Sequence, residues 1–244
     1  MTSQSSPSEV SKGLGTDLLF LGLTAVLLVA GITMSFYYAP LLKHQGADWW
    51  SQKIFYIHLP SAWGALGGLL LVLTGSVAYL SRRSLKWDTF AVAASEICFV
   101  FASNVLITGP LWARPSWGTA WDWQDPRLMS FLALWLLLGA YFLLRTFGLQ
   151  GAQVRVASAT LGIIGALSVP FVYAAVKFSA LHPPPSKMRV GLDVRLTVWV
   201  CNFAFFFFFL FLMRFRRRLE DQNNRLHRLK MKVQEIEDRN ASYI

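Results

Sequence analysis

Six apolar stretches recur along this 244-residue chain; a soluble domain of this size could form one core, so it is their pattern and not the length that decides. Each is longer than about 18 residues, enough to cross roughly 30 Å of hydrocarbon as a helix. Hydrocarbon offers no partner for backbone N–H and C=O groups, so spanning segments close their hydrogen bonds internally, as helices or as closed barrels. A barrel would need alternating polarity in segments of about ten residues, and that pattern is absent here. The expected fold is therefore all-α, a polytopic membrane helix bundle with about six transmembrane helices, at about 17–39, 54–80, 88–111, 128–147, 154–178 and 190–213. Hydrophobic residues make up 55% of the chain and charged residues 15%, the latter gathered between the apolar runs, which is membrane composition rather than that of a globular enzyme.

Charge sets the expected orientation. With the N-terminus inside, fifteen of the Lys and Arg residues fall on the cytoplasmic side and eight outside. The cluster Arg82, Arg83 and Lys86 is the clearest short-loop signal, and the inside-positive rule then puts both termini in the cytoplasm. Residues 1–16 read as a disordered cytoplasmic lead-in, since Met1–Gly15 is polar and Ser-rich with no basic n-region beyond Lys12. Residues 17–213 form the six-helix transmembrane domain, with an outer Trp-rich loop at 112–127. Residues 214–244 form a basic cytoplasmic tail, plausible as one amphipathic or surface helix, in which Arg216, Arg217 and Arg218 anchor the last span or, alternatively, dock a partner. The formal charge of +10 belongs to helix ends and anionic headgroups rather than to nucleic acid. Cys98 and Cys201 lie inside apolar runs, and the lack of a CxxC pair argues against disulfide exchange. Gly64 with Gly68, and Gly162 with Gly165, mark close helix contacts. The run Phe205–Phe209 covers more than one helix face and suggests lipid contact.

Three features converge on the outer side. His58 lies in KIFYIHLPSAW at the start of the second helix, and His182 in VKFSALHPPP at the end of the fifth. Between them runs GPLWARPSWGTAWDWQDPRL, with Trp112, Trp117, Trp121 and Trp123 within twelve positions. Each histidine alone is compatible with an interfacial polar residue. Two on one side, each beside proline (Pro60; Pro183–Pro185), suit axial ligation of haem iron. Zinc is a poor alternative, for the further donors Asp48, Asp122, Asp125 and His44 lack metal-type spacing. Four tryptophans exceed an ordinary aromatic belt and suit a porphyrin or the apolar patch of a partner. If 117–123 is helical, Trp117 and Trp121 share a face. Arg114 and Arg127 flank them, placed for a propionate or for lipid phosphate.

These motifs resemble the haem-handling membrane proteins of cytochrome c maturation, the CcmC/CcmF/CcsA group, and within it the short six-span CcmC type. The resemblance covers nearly all of residues 17–213. The family segment reads roughly WGxWWxWDxRLT. Here Trp117, Gly118, Trp121 and Trp123 fall on its positions, Ala120 replaces a tryptophan, Gln124 is an extra residue before Asp125, and Met129 stands where Thr is usual. The resemblance implies that His58 and His182 are axial ligands to the iron of haem b. It implies that Trp117, Gly118, Trp121, Trp123, Asp125 and Arg127 form the surrounding site. It further implies presentation or export of haem to a periplasmic haem chaperone, CcmE, with the ABC transporter subunits CcmA and CcmB and the small membrane protein CcmD as partners. The location it implies is the bacterial inner membrane, and the role is haem handover rather than enzymatic catalysis. Two other readings remain at the level of residues: a cofactor-free docking subunit, and an electron-transfer anchor holding b-type haem. Glu96 and Asn104 inside the third span fit a helix–helix hydrogen bond better than a transport path.

Overall fold

The computed structural model describes residues 7–41, 51–148, 151–175, 177–179 and 191–241. It is an all-α bundle: α1 (Pro7–Thr33), α2 (Phe55–Arg82), α3 (Leu85–Trp117), α4 (Pro126–Phe147), α5 (Ala152–Leu167), α6 (Val169–Ala175) and α7 (Leu192–Ala241). A π turn, Met34–Tyr38, extends α1, and a 3-10 turn, Ser51–Ile54, leads into α2. Among the described residues six segments are long and apolar enough to cross a membrane, with α5 and α6 together making the fifth, broken at Ser168. Helix α1 begins at Pro7, inside the stretch expected as a lead-in, and α7 runs unbroken through most of the tail.

Helix α2 is the hub, packing on α3, α5 and α7. Small residues allow the close approach. A Cβ on Gly64 would collide with the ring of Phe101, one on Gly68 would lie 2.5 Å from Cys98 Sγ, and one on Gly162 would lie 2.7 Å from Ser76 Oγ. Gly165 is different: a Cβ there would meet only Leu69, at an ordinary 3.9 Å. The core gathers Leu69 and Val72 of α2, Cys98 and Phe101 of α3, Leu134 and Leu138 of α4, and Phe209 of α7. The phenylalanine run is not a purely lipid-facing feature. Phe205, Phe208 and Phe209 close around Phe101 at centroid distances of 6.1, 6.1 and 5.6 Å, while Phe206 stays exposed. A helical run of five covers more than one face, so part of it must turn inward.

The antiparallel order of the helices gives the bundle two chemically distinct ends. One carries His58, the C-terminal part of α3 and the start of α4, and is called here the histidine end. The other carries Asp17, the α2–α3 turn, Arg145 and Arg214–Arg218, and is called the arginine end. At the arginine end Arg145 makes a two-pronged bond to Asp88, 2.9 and 3.0 Å, both side chains largely buried. Arg216 bonds Glu96 through both Nε and Nη2, the latter at 2.6 Å, and Nη1 donates to Glu220 at 2.9 Å. Arg214 and Arg218 both pair with Asp17, and Arg217 lies over the Phe90 ring at 5.4 Å. The arginines that the sequence offers as headgroup anchors thus also bind α7 to α1 and α3. Lys53, counted among the outer charges, is buried, and its ammonium donates to the Ala39 carbonyl at 2.7 Å.

Candidate functional site

His58 lies in the first turn of α2, half-buried against α3. Pro60 does not break the helix there, which runs through it to Arg82. What holds the imidazole is a polar relay between α2 and α3. Thr108 Oγ1 lies 2.6 Å from the Asn104 carbonyl and 2.9 Å from His58 Nδ1. Two oxygens at 2.6 Å need a proton between them, and a carbonyl has none to give. The Thr108 hydroxyl therefore donates to Asn104 and can only accept from His58. Nδ1 carries the proton, and Nε2 keeps the lone pair that a metal would use. One helical turn earlier the relay continues: Asn104 Nδ2 donates to Ser61 Oγ at 2.6 Å, and Ser61 donates to the Ile57 carbonyl at 2.8 Å. Asn104 is thus a helix–helix hydrogen bonder, and Glu96 is an ion-pair partner of Arg216. Gly109 leaves room beside the imidazole, since a Cβ there would stand 3.4 Å from His58 Cε1.

Trp112 follows Thr108 by one turn, so it shares the face of α3 against which His58 rests. Its ring meets that of Trp117 edge-on at 4.8 Å. Helix α3 carries both, running to Trp117 through Pro110 and Pro115, past the boundary expected near 111. Gly118 then stops it. Its φ of 78° is a left-handed conformation suited to glycine, and its N–H closes on the Arg114 carbonyl at 3.0 Å. Residues 119–125 are not helical, so Trp117 and Trp121 are not stacked on one helix face. Trp121 instead pairs with Trp123 at 5.7 Å, which leaves two edge-to-face pairs, 112 with 117 and 121 with 123. Trp123 is 70% exposed. The Trp121 indole Nε1–H is buried and has no hydrogen-bond partner among the described residues, a condition that costs about 1–3 kcal/mol where nothing else fills it.

The second half of the segment is organised by its two aspartates. Asp122 accepts from the Gln124 N–H at 2.8 Å, a side-chain turn that absorbs the extra residue. Asp125 then caps α4: Oδ1 accepts from the N–H groups of Arg127 (2.9 Å) and Leu128 (3.2 Å), with Pro126 in the first helical turn. Its other oxygen accepts from Ser179 Oγ at 2.6 Å. Both oxygens of this buried carboxylate are engaged by the protein itself, so Asp125 orders the segment rather than offering a free contact. Ser179 comes three positions before His182 in the chain, and it ties that strand of sequence to the tryptophan segment. His182 and His44 lie outside the described residues. Arg127, at the start of α4, is half-buried and close enough to His58 for the two to interact electrostatically.

The structure thus brings His58, the two tryptophan pairs and Arg127 together at one end of the bundle. Thr108, Ser61 and Ser179 were not singled out from the sequence. The four-residue spacing of Asn104 and Thr108 on an apolar helix was the available signal for the first. The model of the family Heme exporter protein C matches residues 3–231, almost the whole chain. The chain belongs to that family. It is similar to Heme exporter protein C of Bradyrhizobium diazoefficiens, with 38% identity over 175 residues, 69% of this chain and 62% of that protein. Heme exporter protein C of Escherichia coli K12 is 32% identical over 177 residues, 70% of this chain and 68% of that protein. That of Rhodobacter capsulatus is 37% identical over 121 residues, half of this chain and 48% of that protein. The chain therefore spans less than two thirds of the Bradyrhizobium protein and about half of the Rhodobacter one.

Proposed function

We propose that this membrane protein of the Heme exporter protein C family binds haem b at its histidine end and hands it to a periplasmic haem chaperone during cytochrome c maturation. In this reading the histidine end faces the outer compartment of a bacterial inner membrane and both termini face the cytoplasm, in line with the charge asymmetry. The observation that carries it is the polar relay at His58. Nδ1–H is held by Thr108, so Nε2 is deprotonated and available, the tautomer that an axial ligand needs. His182 supplies the second imidazole. Trp117, Trp121 and Trp123 provide apolar faces for the macrocycle, with Gly118 ending the helix so that the last two can turn toward it. The Trp121 Nε1–H, for which no described residue is an acceptor, suits an acceptor on the cargo, and Arg127 suits a propionate. Asp125 acts indirectly, by holding the segment in shape. The family context supports CcmE as the acceptor and CcmA, CcmB and CcmD as partners, and haem here is cargo rather than a catalytic group.

The test is spectroscopic. Detergent-purified protein is compared with His58→Ala and His182→Ala at equal protein concentration. Both variants should lose the six-coordinate low-spin haem spectrum and release haem more readily, while His227→Ala, at the far end of the chain, should change nothing. Unaltered spectra and haem content in both outer variants would remove the bis-histidine reading and return the function to that of a docking subunit.

A further inference from the structure

Helix α7 does not end where its apolar span ends. It continues unbroken to Ala241, and at 1.5 Å per residue the stretch 225–241 stands roughly 18 to 42 Å beyond Met213 along the helix axis. Up to Asn224 the helix is held to the bundle: Arg216 binds Glu96, and Asn224 Nδ2 donates to Thr89 Oγ1 at 3.3 Å. Beyond Asn224 every residue through Asn240 is exposed. A solvated helix should be polar all round or carry its apolar side against something. This one carries Leu226, Leu229, Val233 and Ile236 at alternating steps of three and four, each more than half exposed. That is the seam of a two-helix coiled coil, with Leu219 one heptad earlier on the same line.

We propose that residues 219–236 of α7 are a docking helix for an amphipathic helix of another protein whose apolar stripe is flanked by acidic residues. Charge favours an acidic-flanked partner over a second copy of this chain, most of all along residues 225–230. In heptad register with the seam, Arg225 and Lys232 occupy one flank, and Lys230 and Glu237 the other. The stretch 225–232 holds four basic residues and no acid, while Glu235, Glu237 and Asp238 follow it. In every copy α7 leaves the bundle at the same end, so two copies in one membrane pair only in parallel. Parallel pairing faces Arg225 with the other copy's Lys230 on both sides of the seam, and only Lys232 finds an acidic residue, the other copy's Glu237. Antiparallel pairing, which would set basic against acidic stretches, is closed to them by topology. The bilayer surface is a poor occupant too, because the unbroken helix carries the stripe away from the span. An acidic-flanked helix satisfies Arg225, Lys230 and Lys232 at once and covers the four apolar side chains. The proposal does not depend on haem.

The experiment uses the full chain in lipid nanodiscs. Two synthetic helical peptides share one leucine stripe and differ only in flanks, one glutamate-flanked and one lysine-flanked. The glutamate-flanked peptide should bind roughly tenfold or more tightly than the other, with a preference that weakens as salt rises. Val233→Glu with Ile236→Glu should lower its affinity about tenfold or more. Lys230→Glu with Lys232→Glu should reverse the preference. Both pairs lie on exposed positions, so the bundle should keep its circular dichroism. Equal binding of the two peptides, or binding of neither, overturns the proposal. So does oxidative cross-linking of Val233→Cys between copies, which would make a second copy the occupant. Loss of peptide binding only in nanodiscs rich in anionic lipid would assign the stripe to the membrane and overturn it equally.

Discussion

The two ends of the bundle hold their helices together by different chemistry. At the arginine end the contacts are ionic and closed: Asp88 with Arg145, Glu96 with Arg216, Asp17 with Arg214 and Arg218. At the histidine end there are no such ion pairs among the described residues: the Asp125 carboxylate and the Lys53 ammonium each bond a neutral partner, the remaining contacts are neutral hydrogen bonds and ring contacts, and several groups remain uncommitted. The Trp121 N–H has no partner among the described residues, Trp123 is exposed, and the imidazole of His58 is tied at Nδ1 and not committed at Nε2 by the same bond. A region built only for stability pairs its polar groups. A region built to receive a ligand leaves some of them for the ligand. The contrast is in line with the proposal that the histidine end receives the ligand.

The strongest way to break the contrast is at the arginine end. Asp88→Leu leaves the Arg145 guanidinium buried without a counterion, and about 3–5 kcal/mol of stability should be lost. Thermal unfolding in detergent measures it. Adding Arg145→Met should recover most of the loss, and failure to recover would mean that Asp88 acts by something other than this pair. Haem content of folded protein should be unchanged in the double variant.

At the histidine end the effects should fall on binding rather than folding. Thr108→Val removes the acceptor that fixes the His58 tautomer, and haem retention should drop by roughly tenfold, the scale seen when a ligand's outer partner is removed. Thr108→Ser should restore both retention and the low-spin spectrum. A valine variant with the parent's spectrum and haem off-rate would show that the relay is merely structural. The smallest effect concerns Trp121. Trp121→Phe deletes a donor that has no partner among the described residues while keeping an aromatic ring, so stability should hold or rise by up to about 1 kcal/mol while haem binding weakens. A clear fall in melting temperature would mean that the indole N–H has a structural role.

Much of the fold was legible because span length and charge asymmetry are properties of the sequence line. The site was legible in parts. His58 and the tryptophans stood out by residue type, yet the helical stacking of Trp117 on Trp121 fails because Gly118 in a left-handed conformation ends α3 between them. The third span ran past its expected end near 111, because Pro110 and Pro115 lie inside α3 rather than ending it, as Pro60 lies inside α2. Within a bilayer, neighbouring helices and side-chain hydroxyls compensate for the lost backbone bond. The tail's helicity was expected, but its continuity with the last span was not, since no glycine or proline signal is needed for a helix simply to go on.

The amino-acid sequence by itself determined that this chain is a six-span helical membrane protein with a histidine and a tryptophan cluster toward one side. Those properties follow from hydrophobic run length and from which residues are neighbours in the chain. The tertiary structure alone decided which nitrogen of His58 carries the proton, which aspartate caps α4, and that Glu96 answers Arg216. Each of the long-range decisions joins groups far apart in sequence, 50 positions for His58 and Thr108 and 120 for Glu96 and Arg216. A hydrogen bond forms only at about 3 Å, and nothing local in the chain specifies which distant group will be brought to that distance.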